Sequence, residues 1–295
     1  MINWVKYRKY YFVVSFSLLT IGMFFLAKYG LILGLDFVGG RTIEYNISGE
    51  VDIKSLETQI HNLGEKQVSI ANQEGSDVYV FSFPPGSEQI KGDLGNIVTN
   101  IDETADELRF ELVGPSFGPE LIQKTIYAII ISSGAILVWV ALQFKSIKFG
   151  ASAVVAMLHD SLILLGSFSV FGYFFGVEVD FLFVTALLTT LSFSVHDTIV
   201  VYDRIRETQK KEGGDIYQIA NRAVSETMVR SLNNSFTIMF MLFALVLLGG
   251  ESMRWFAVAL FIGTVSGTYS SPFVAVPILT AWENVLDRFN ERNKS

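Results

Sequence analysis

The chain of 295 residues contains no cysteine. A disulfide framework, a thiolate metal site and a cysteine nucleophile are therefore excluded together. Histidine is nearly as scarce, with three in the whole chain, proline numbers six, and charged residues make up only 17% of the sequence. In their place stands apolar bulk: 51% of residues are hydrophobic and the mean hydropathy is +0.42. That composition is a membrane protein's and more than a soluble domain of this length needs.

The apolar residues gather into runs near 11–30, 123–143, 150–175, 179–203, 230–249 and 255–281. A helix of about 20 apolar residues crosses a bilayer, so six transmembrane helices are predicted. Lys6, Arg8 and Lys9, then Lys145 and Lys148, then Arg204, Arg206, Lys210 and Lys211, then Arg288, Arg292 and Lys294 all fall on one side of that arrangement. Glu178, Asp180 and Glu251 fall on the other. The positive-inside rule then places both termini in the cytoplasm. The first apolar run, Tyr11 to Tyr29, is longer than the core of a signal peptide, and Ala27 to Gly30 is a poor cleavage site, so an uncleaved anchor is expected.

The formal net charge of -7 is concentrated between the first two runs, where residues 31–123 hold 16 Asp and Glu against 5 Lys and Arg. The expected organisation is thus residues 1–30 as a cytoplasmic start and first helix, 31–122 as an extracytoplasmic α/β domain, 123–281 as helices two to six, and 282–295 as a cytoplasmic tail. Within the acidic segment, alternation marks strands at 41–47, 68–70, 78–83 and 107–113, while helical spacing marks 52–63 and, more weakly, 86–100. Gly64 stops the first helix and Gly75 to Asp77 turn a hairpin. The order βαββαβ predicts a small ferredoxin-like sandwich.

Glycine-marked connectors flank this segment: Gly34, Asp36, Gly39 and Gly40 after the first helix, and Gly114 and Gly118 with Pro115 and Pro119 before the second. Glycine permits φ > 0 and proline fixes φ, so both read as shaped joints. No Gly-Lys-Ser/Thr follows Gly39 and Gly40, which argues against a phosphate loop.

The candidate functional residues are ionisable groups inside the apolar runs. His196 and Asp197 sit side by side, with Asp197 seven residues before Arg204, roughly 10 Å inward at the helical rise. His159 and Asp160 form a second pair about 14 Å from the start of the third helix near Gly150. A charged group at membrane depth costs about 2.5–3.5 kcal/mol or more unless it faces protein or water, so a proton or ion site is the default reading. The alternative for His196 and Asp197 is a pair at the cytoplasmic interface. A metal site is disfavoured, because adjacent helical residues point about 100° apart and no HExxH-type spacing is present. In the fifth helix Arg230, Asn233, Asn234 and Thr237 form a polar stripe expected to pack inward. Arg230 either snorkels to the interface or reaches a carboxylate. The sixth helix carries Gly263 and Gly267, which permit close helix contact, and Pro272 and Pro277, which predict kinks. Helices two to five are expected to contain no proline, so flexing should concentrate in the sixth helix and at the connectors.

These motifs resemble the SecF family, the smaller membrane subunits of the SecD–SecF protein-export factor. The resemblance rests on the runs 34–40 and 113–118, on Leu158 to Asp160, on Asp197 to Glu207, on Arg230 with Ser231, and on Gly263 to Ser271. It implies the resistance-nodulation-division superfamily fold, with SecD supplying a matching six-helix half. It implies further that the pair uses the proton-motive force to draw preproteins outward at the SecYEG channel after SecA has pushed them in, without cofactor, enzymatic activity or nucleic acid. Asp197 and Arg230 would then belong to the proton path, with Asp160, His159 and His196 as further candidates. The family commonly has asparagine where this chain has His196, so no role carries over to that position. Half of a proton-driven small-molecule or lipid exporter of the same fold is the competing reading, disfavoured by the single small outer domain. A passive assembly factor would leave two buried acids without purpose. An intramembrane hydrolase lacks any nucleophile–base arrangement.

Overall fold

The computed structural model describes residues 3–48, 51–62, 68–72, 77–83, 90–113 and 117–283. Gly64, Gly75, Gly114, Arg288, Arg292 and Lys294 lie outside the described residues. The chain divides into two compact units, residues 33–126 on the one hand and 1–32 with 127–295 on the other.

The two-residue strand β1 (Ile32–Leu33) falls at the division; in the smaller unit the short α2 (Leu35–Val38) leads into β2 (Gly40–Asn46), α3 (Ile53–Asn62), β3 (Ser69–Asn72), β4 (Val78–Phe83), α4 (Ile90–Ile101) and β5 (Asp106–Val113). Strands β2 to β5 form one antiparallel sheet in the order β3-β4-β2-β5. Because side chains alternate along a strand, one face carries Ile43, Tyr45, Tyr79, Phe81 and Phe83. Leu56 and Ile60 from α3 and Ile90, Leu94 and Val98 from α4 close that face into a core. A register shift between Glu44 and Tyr45 interrupts the pairing with β5.

The glycine-marked joints meet here. Gly39 and Gly40 have φ of 76° and 139°, which an L side chain rarely adopts. Gly118 packs directly on the Phe37 backbone: a Cβ built on it would lie 1.5 Å from the Phe37 carbonyl oxygen. The two glycine runs are therefore one contact, each needing the other.

Among the described residues, six helices are long and apolar enough to cross a membrane. They are α1 (Arg8–Tyr29), α5 (Phe117–Phe144), α6 (Ile147–Phe175), α7 (Phe181–Glu212), α8 (Ile216–Leu248) and α9 (Glu251–Ser270), the last continuing helically to residue 283. The spans of α6, α7 and α9 are at least half buried, whereas those of α1, α5 and α8 are largely exposed. Several helices extend past their apolar runs. The second begins at Phe117 rather than near 123, so Pro119 sits in its first turn. The expectation of no proline in helices two to five is corrected accordingly. An N–H there would have no intrahelical partner, so its loss costs little.

After the short strand β6 (Glu178–Val179), the Asp180 side chain caps α7 by accepting from the Phe183 N–H at 2.8 Å. At its other end α7 runs to Gly213, and α8 starts 14 residues before Arg230, because this polar hairpin is itself amphipathic. Tyr202 and Ile205 pack there against Ile219, Ala220, Ala223 and Val224. Ion pairs from Arg204 to Glu207 and Glu226, and from Arg222 to Glu212 and Glu226, lace its surface. The chain start docks on it through Trp4 Nε1 to Ser225 at 2.9 Å and the Val5 N–H to Asn221 at 2.9 Å.

Pro272 opens a π-helical turn, Ser271–Ala275, inside the last helix. The proline has no N–H to offer its preceding turn, and the wider turn absorbs the mismatch. Two phenylalanines of the first helical hairpin, Phe144 and Phe149, stack at 5.0 Å and both meet the Tyr202 ring edge-on.

Candidate functional site

Helices α6, α7 and α9 converge on Asp160. Small residues make this possible: a Cβ on Gly263 would lie 1.9 Å from Thr190 Cγ2, and one on Gly267 3.1 Å from Ser194 Cα. Gly263 and Gly267 are thus one turn apart on α9, against Thr190 and Ser194 one turn apart on α7. Backbones that close let short hydroxyl side chains reach across.

Asp160 is 2% exposed and takes four hydrogen bonds. Its Oδ1 accepts from Ser266 Oγ at 2.6 Å and meets His159 Nδ1 at 3.0 Å. Its Oδ2 accepts from Ser194 Oγ at 2.6 Å and Ser270 Oγ at 2.6 Å. A buried carboxylate is tolerable only with such partners. His159 turns back onto its own neighbour, and its buried Nε2 has no hydrogen-bond partner among the described residues. It borders an apolar groove of about 660 Å³ between α1 and α6 that includes Phe12, Phe16, Val155 and Leu162.

The hydroxyl layer continues along α7. Thr198 shares a hydrogen bond with Ser271 at 2.9 Å, and Tyr202 shares one with Ser152 at 2.6 Å while donating to the Ala275 carbonyl at 3.3 Å. Ser194, Thr198 and Tyr202 are four residues apart, so one face of the helix carries all three.

Asp197 lies on another face of α7 and is also buried, at 7% exposure. It opens on a crevice of about 20 Å³ bordered by His196, Asn234, Ser235, Thr264, Gly267 and Thr268. That volume suits a single water. Ser231 and Ser235 of α8 are its polar neighbours. Thr268 Oγ1 donates to Ser235 Oγ at 2.6 Å and so ties α9 to α8 beside the acid. His196 is exposed.

Arg230 is not on Asp197. It is exposed, and it borders a second crevice of about 360 Å³ with Asp203, Arg204, Glu207 and Glu226, toward the α7–α8 hairpin. Among the described residues neither Asp197 nor Arg230 makes an ion pair.

The polar stripe of α8 requires a correction. Arg230, Asn233, Asn234 and Thr237 are exposed, while Thr227, Ser235 and Leu242 are buried. The stripe follows one helix face, but the face packed on α7 and α9 is the adjacent one, about 100° away. Sequence spacing identifies a face without saying what it meets. The serine cage of Asp160 was missed altogether; its signal was Ser266 and Ser270 interleaved with the glycines of α9. Among the described residues no cluster of three or more His, Asp and Glu is placed to hold a metal ion.

Two family models match the chain. One, described as protein export membrane protein SecD/SecF, C-terminal, covers residues 93–285, and the SecD/SecF GG motif covers residues 24–49. A protein of Thermobaculum terrenum named protein translocase subunit SecF is 38% identical over 96% of this chain and 95% of its own. Protein translocase subunit SecDF of Bacillus subtilis is 30% identical over 94% of this chain, which spans only 37% of that longer protein. A crystal structure of SecDF from a Thermus species, described as a translocon-associated membrane protein, superposes with a TM-score of 0.83 at 30% identity. It covers 96% of this chain, which spans 39% of that chain.

Proposed function

The chain belongs to the SecD/SecF family of protein-export membrane proteins, and from that premise we propose that it is the SecF-like half of a proton-driven export device. Its activity is transport, and relatives named as translocase subunits favour export over the small-molecule or lipid exporter of the same fold. In the longer SecDF proteins one chain carries more than twice the length matched here, which supports a SecD-like partner as the other half. The exposed stripe of Arg230, Asn233, Asn234 and Thr237 supports the same reading, because polar side chains at membrane depth need protein or water against them.

In this proposal the chain is a multi-pass protein of the cell membrane with both termini in the cytoplasm, and its acidic unit lies outside. The strand order β3-β4-β2-β5 with two helices on one face supports a ferredoxin-like sandwich there. SecYEG, with SecA on its far side, supplies the preproteins. The observation that carries the mechanism is Asp197, a carboxylic acid buried at membrane depth beside a crevice the size of one water, one crevice away from Arg230. Asp197 and Arg230 stand in neighbouring crevices, so small helix movements that bring the arginine toward the acid or take it away load or release a proton. Each charge crossing the full potential carries about 2.3 kcal/mol per 100 mV. That is enough to bias a conformational equilibrium more than tenfold.

Extraction in mild detergent followed by co-purification tests the assembly. The expected companion is a chain with six matching helices; recovery of this chain alone under conditions that keep the translocon intact would contradict it.

A further inference from the structure

The two buried acids of the membrane unit differ in how they are held. Both oxygens of Asp160 are saturated, with His159 and Ser266 on Oδ1 and Ser194 and Ser270 on Oδ2. The three serines come from α7 and α9, so the carboxyl of α6 ties three helices at one level. Asp197 instead borders a crevice of about 20 Å³, with Ser231 and Ser235 as its polar neighbours. A group that binds and releases a proton needs somewhere for the proton to go; a group enclosed by four donors has a structural job.

We infer that Asp160 is a positioning residue for Asp197, a fixed peg that sets the distance between α7 and α9 and is not itself a proton carrier. The inference rests on the reading of Asp197 as the carrier. The route from one acid to the other is short. Ser194 is one turn ahead of Asp197 on α7. Ser266 and Ser270 flank Gly267 and Thr268 on α9, and both of these border the Asp197 crevice. Thr268 in turn holds Ser235 of α8, on the crevice's far side, at 2.6 Å. Moving α9 by the width of a lost hydrogen bond would therefore shift the α9 wall of the crevice against α7 and, through Thr268 and Ser235, strain its tie to the α8 wall. The titratable groups on its border are His196 and Asp197 of α7; α8 contributes Asn234, Ser235 and Ile238, and α9 contributes Thr264, Gly267 and Thr268. Arg230 of α8 stands in the next crevice. His159 is the one titratable group among the hydrogen-bond partners of Asp160.

Asp160→Asn keeps the size of the side chain but replaces one acceptor oxygen by an amide group that donates, so the groups that donate to that oxygen lose their acceptor. In membrane vesicles carrying the complete export machinery, this variant should export several-fold more slowly under a proton gradient while still responding to it. The pH profile of the gradient-driven part should be displaced from that of the wild type. Complete loss of gradient stimulation would make Asp160 a carrier and overturn the inference, as would a rate and pH profile identical to wild type. If the variant does not accumulate, Ser266→Ala and Ser270→Ala remove one donor each and leave the carboxyl in place. Either should displace the pH profile in the same direction, and wild-type behaviour from both would overturn the inference. Failure of the carrier reading is seen separately, as gradient stimulation retained by Asp197→Asn.

Discussion

Gly263 of α9 lies against Thr190 of α7 so closely that a Cβ on the glycine would stand 1.9 Å from the threonine methyl carbon. The contact sits one turn from Gly267 and Ser194, so it fixes the helix pair that carries the Asp160 cage. Gly263→Leu should lower the thermal midpoint in detergent, with a cost of about 1–3 kcal/mol or more from overpacking. Gly263→Ala, which adds only that Cβ, should lower it too, and Thr190→Ala should recover part of the Gly263→Ala loss when the two are combined, because the positions share one space. Additive effects of the paired variants would show that the helices do not meet there.

Gly118 presents a harder constraint, because its neighbour is the Phe37 carbonyl and not a side chain that can rotate away. Gly118→Ala should destabilise the smaller unit by at least the about 1–3 kcal/mol of overpacking. Gly134→Ala, by contrast, meets nothing within 4 Å on its helix and should be neutral or mildly stabilising, by up to about 1 kcal/mol. Hydrogen exchange across residues 33–126 of each variant separates them. Equal protection in both would contradict the Gly118–Phe37 contact.

Asp102 links the smaller unit's stability to pH. Its carboxylate accepts from the Thr104 hydroxyl at 2.6 Å, the Thr104 N–H at 2.8 Å and the Ser48 N–H at 2.8 Å. These bonds, the Thr104 side chain foremost, hold its pKa below the ordinary aspartate value. A depressed folded-state pKa contributes stability above the unfolded value that is lost as pH falls through the folded one. Protection of the strand β2 against exchange, corrected for intrinsic rates, should therefore fall on acidification through the carboxylate range. Asp102→Asn should flatten that dependence; an unchanged slope would remove Asp102 from the account.

Topology is tested by Ser55→Cys, an exposed position on α3 in a chain with no other thiol. An impermeant maleimide added to intact cells should label it from outside. Labelling only after the membrane is opened would place the acidic unit in the cytoplasm and invert the arrangement.

Much of the fold was legible in sequence because its signals are local. Apolar run lengths gave six helices, and period-two alternation gave the strands from Arg41 and Val78. Helix ends were less legible: the extensions to Phe117, Glu212 and Ile216 are amphipathic rather than apolar, so a hydropathy window stops short of them. Asp160 and Asp197 stood out because charge in an apolar run is costly. What could not be read was which helices they face. Ser194, Ser266 and Ser270 are ordinary residues until three helices bring them to one carboxylate, and Arg230 carries no mark in sequence that it borders the crevice of Asp203 and Glu226 rather than that of Asp197.

The central claim is that Asp197 couples export to the proton gradient. Preprotein translocation into vesicles, measured with and without a gradient at matched membrane levels of wild type and Asp197→Asn, tests it most directly. The gradient-independent part of export and the protein's insertion should survive in the variant while the gradient-stimulated part disappears. Full gradient stimulation by Asp197→Asn would contradict the account and move the proton to another carboxylate.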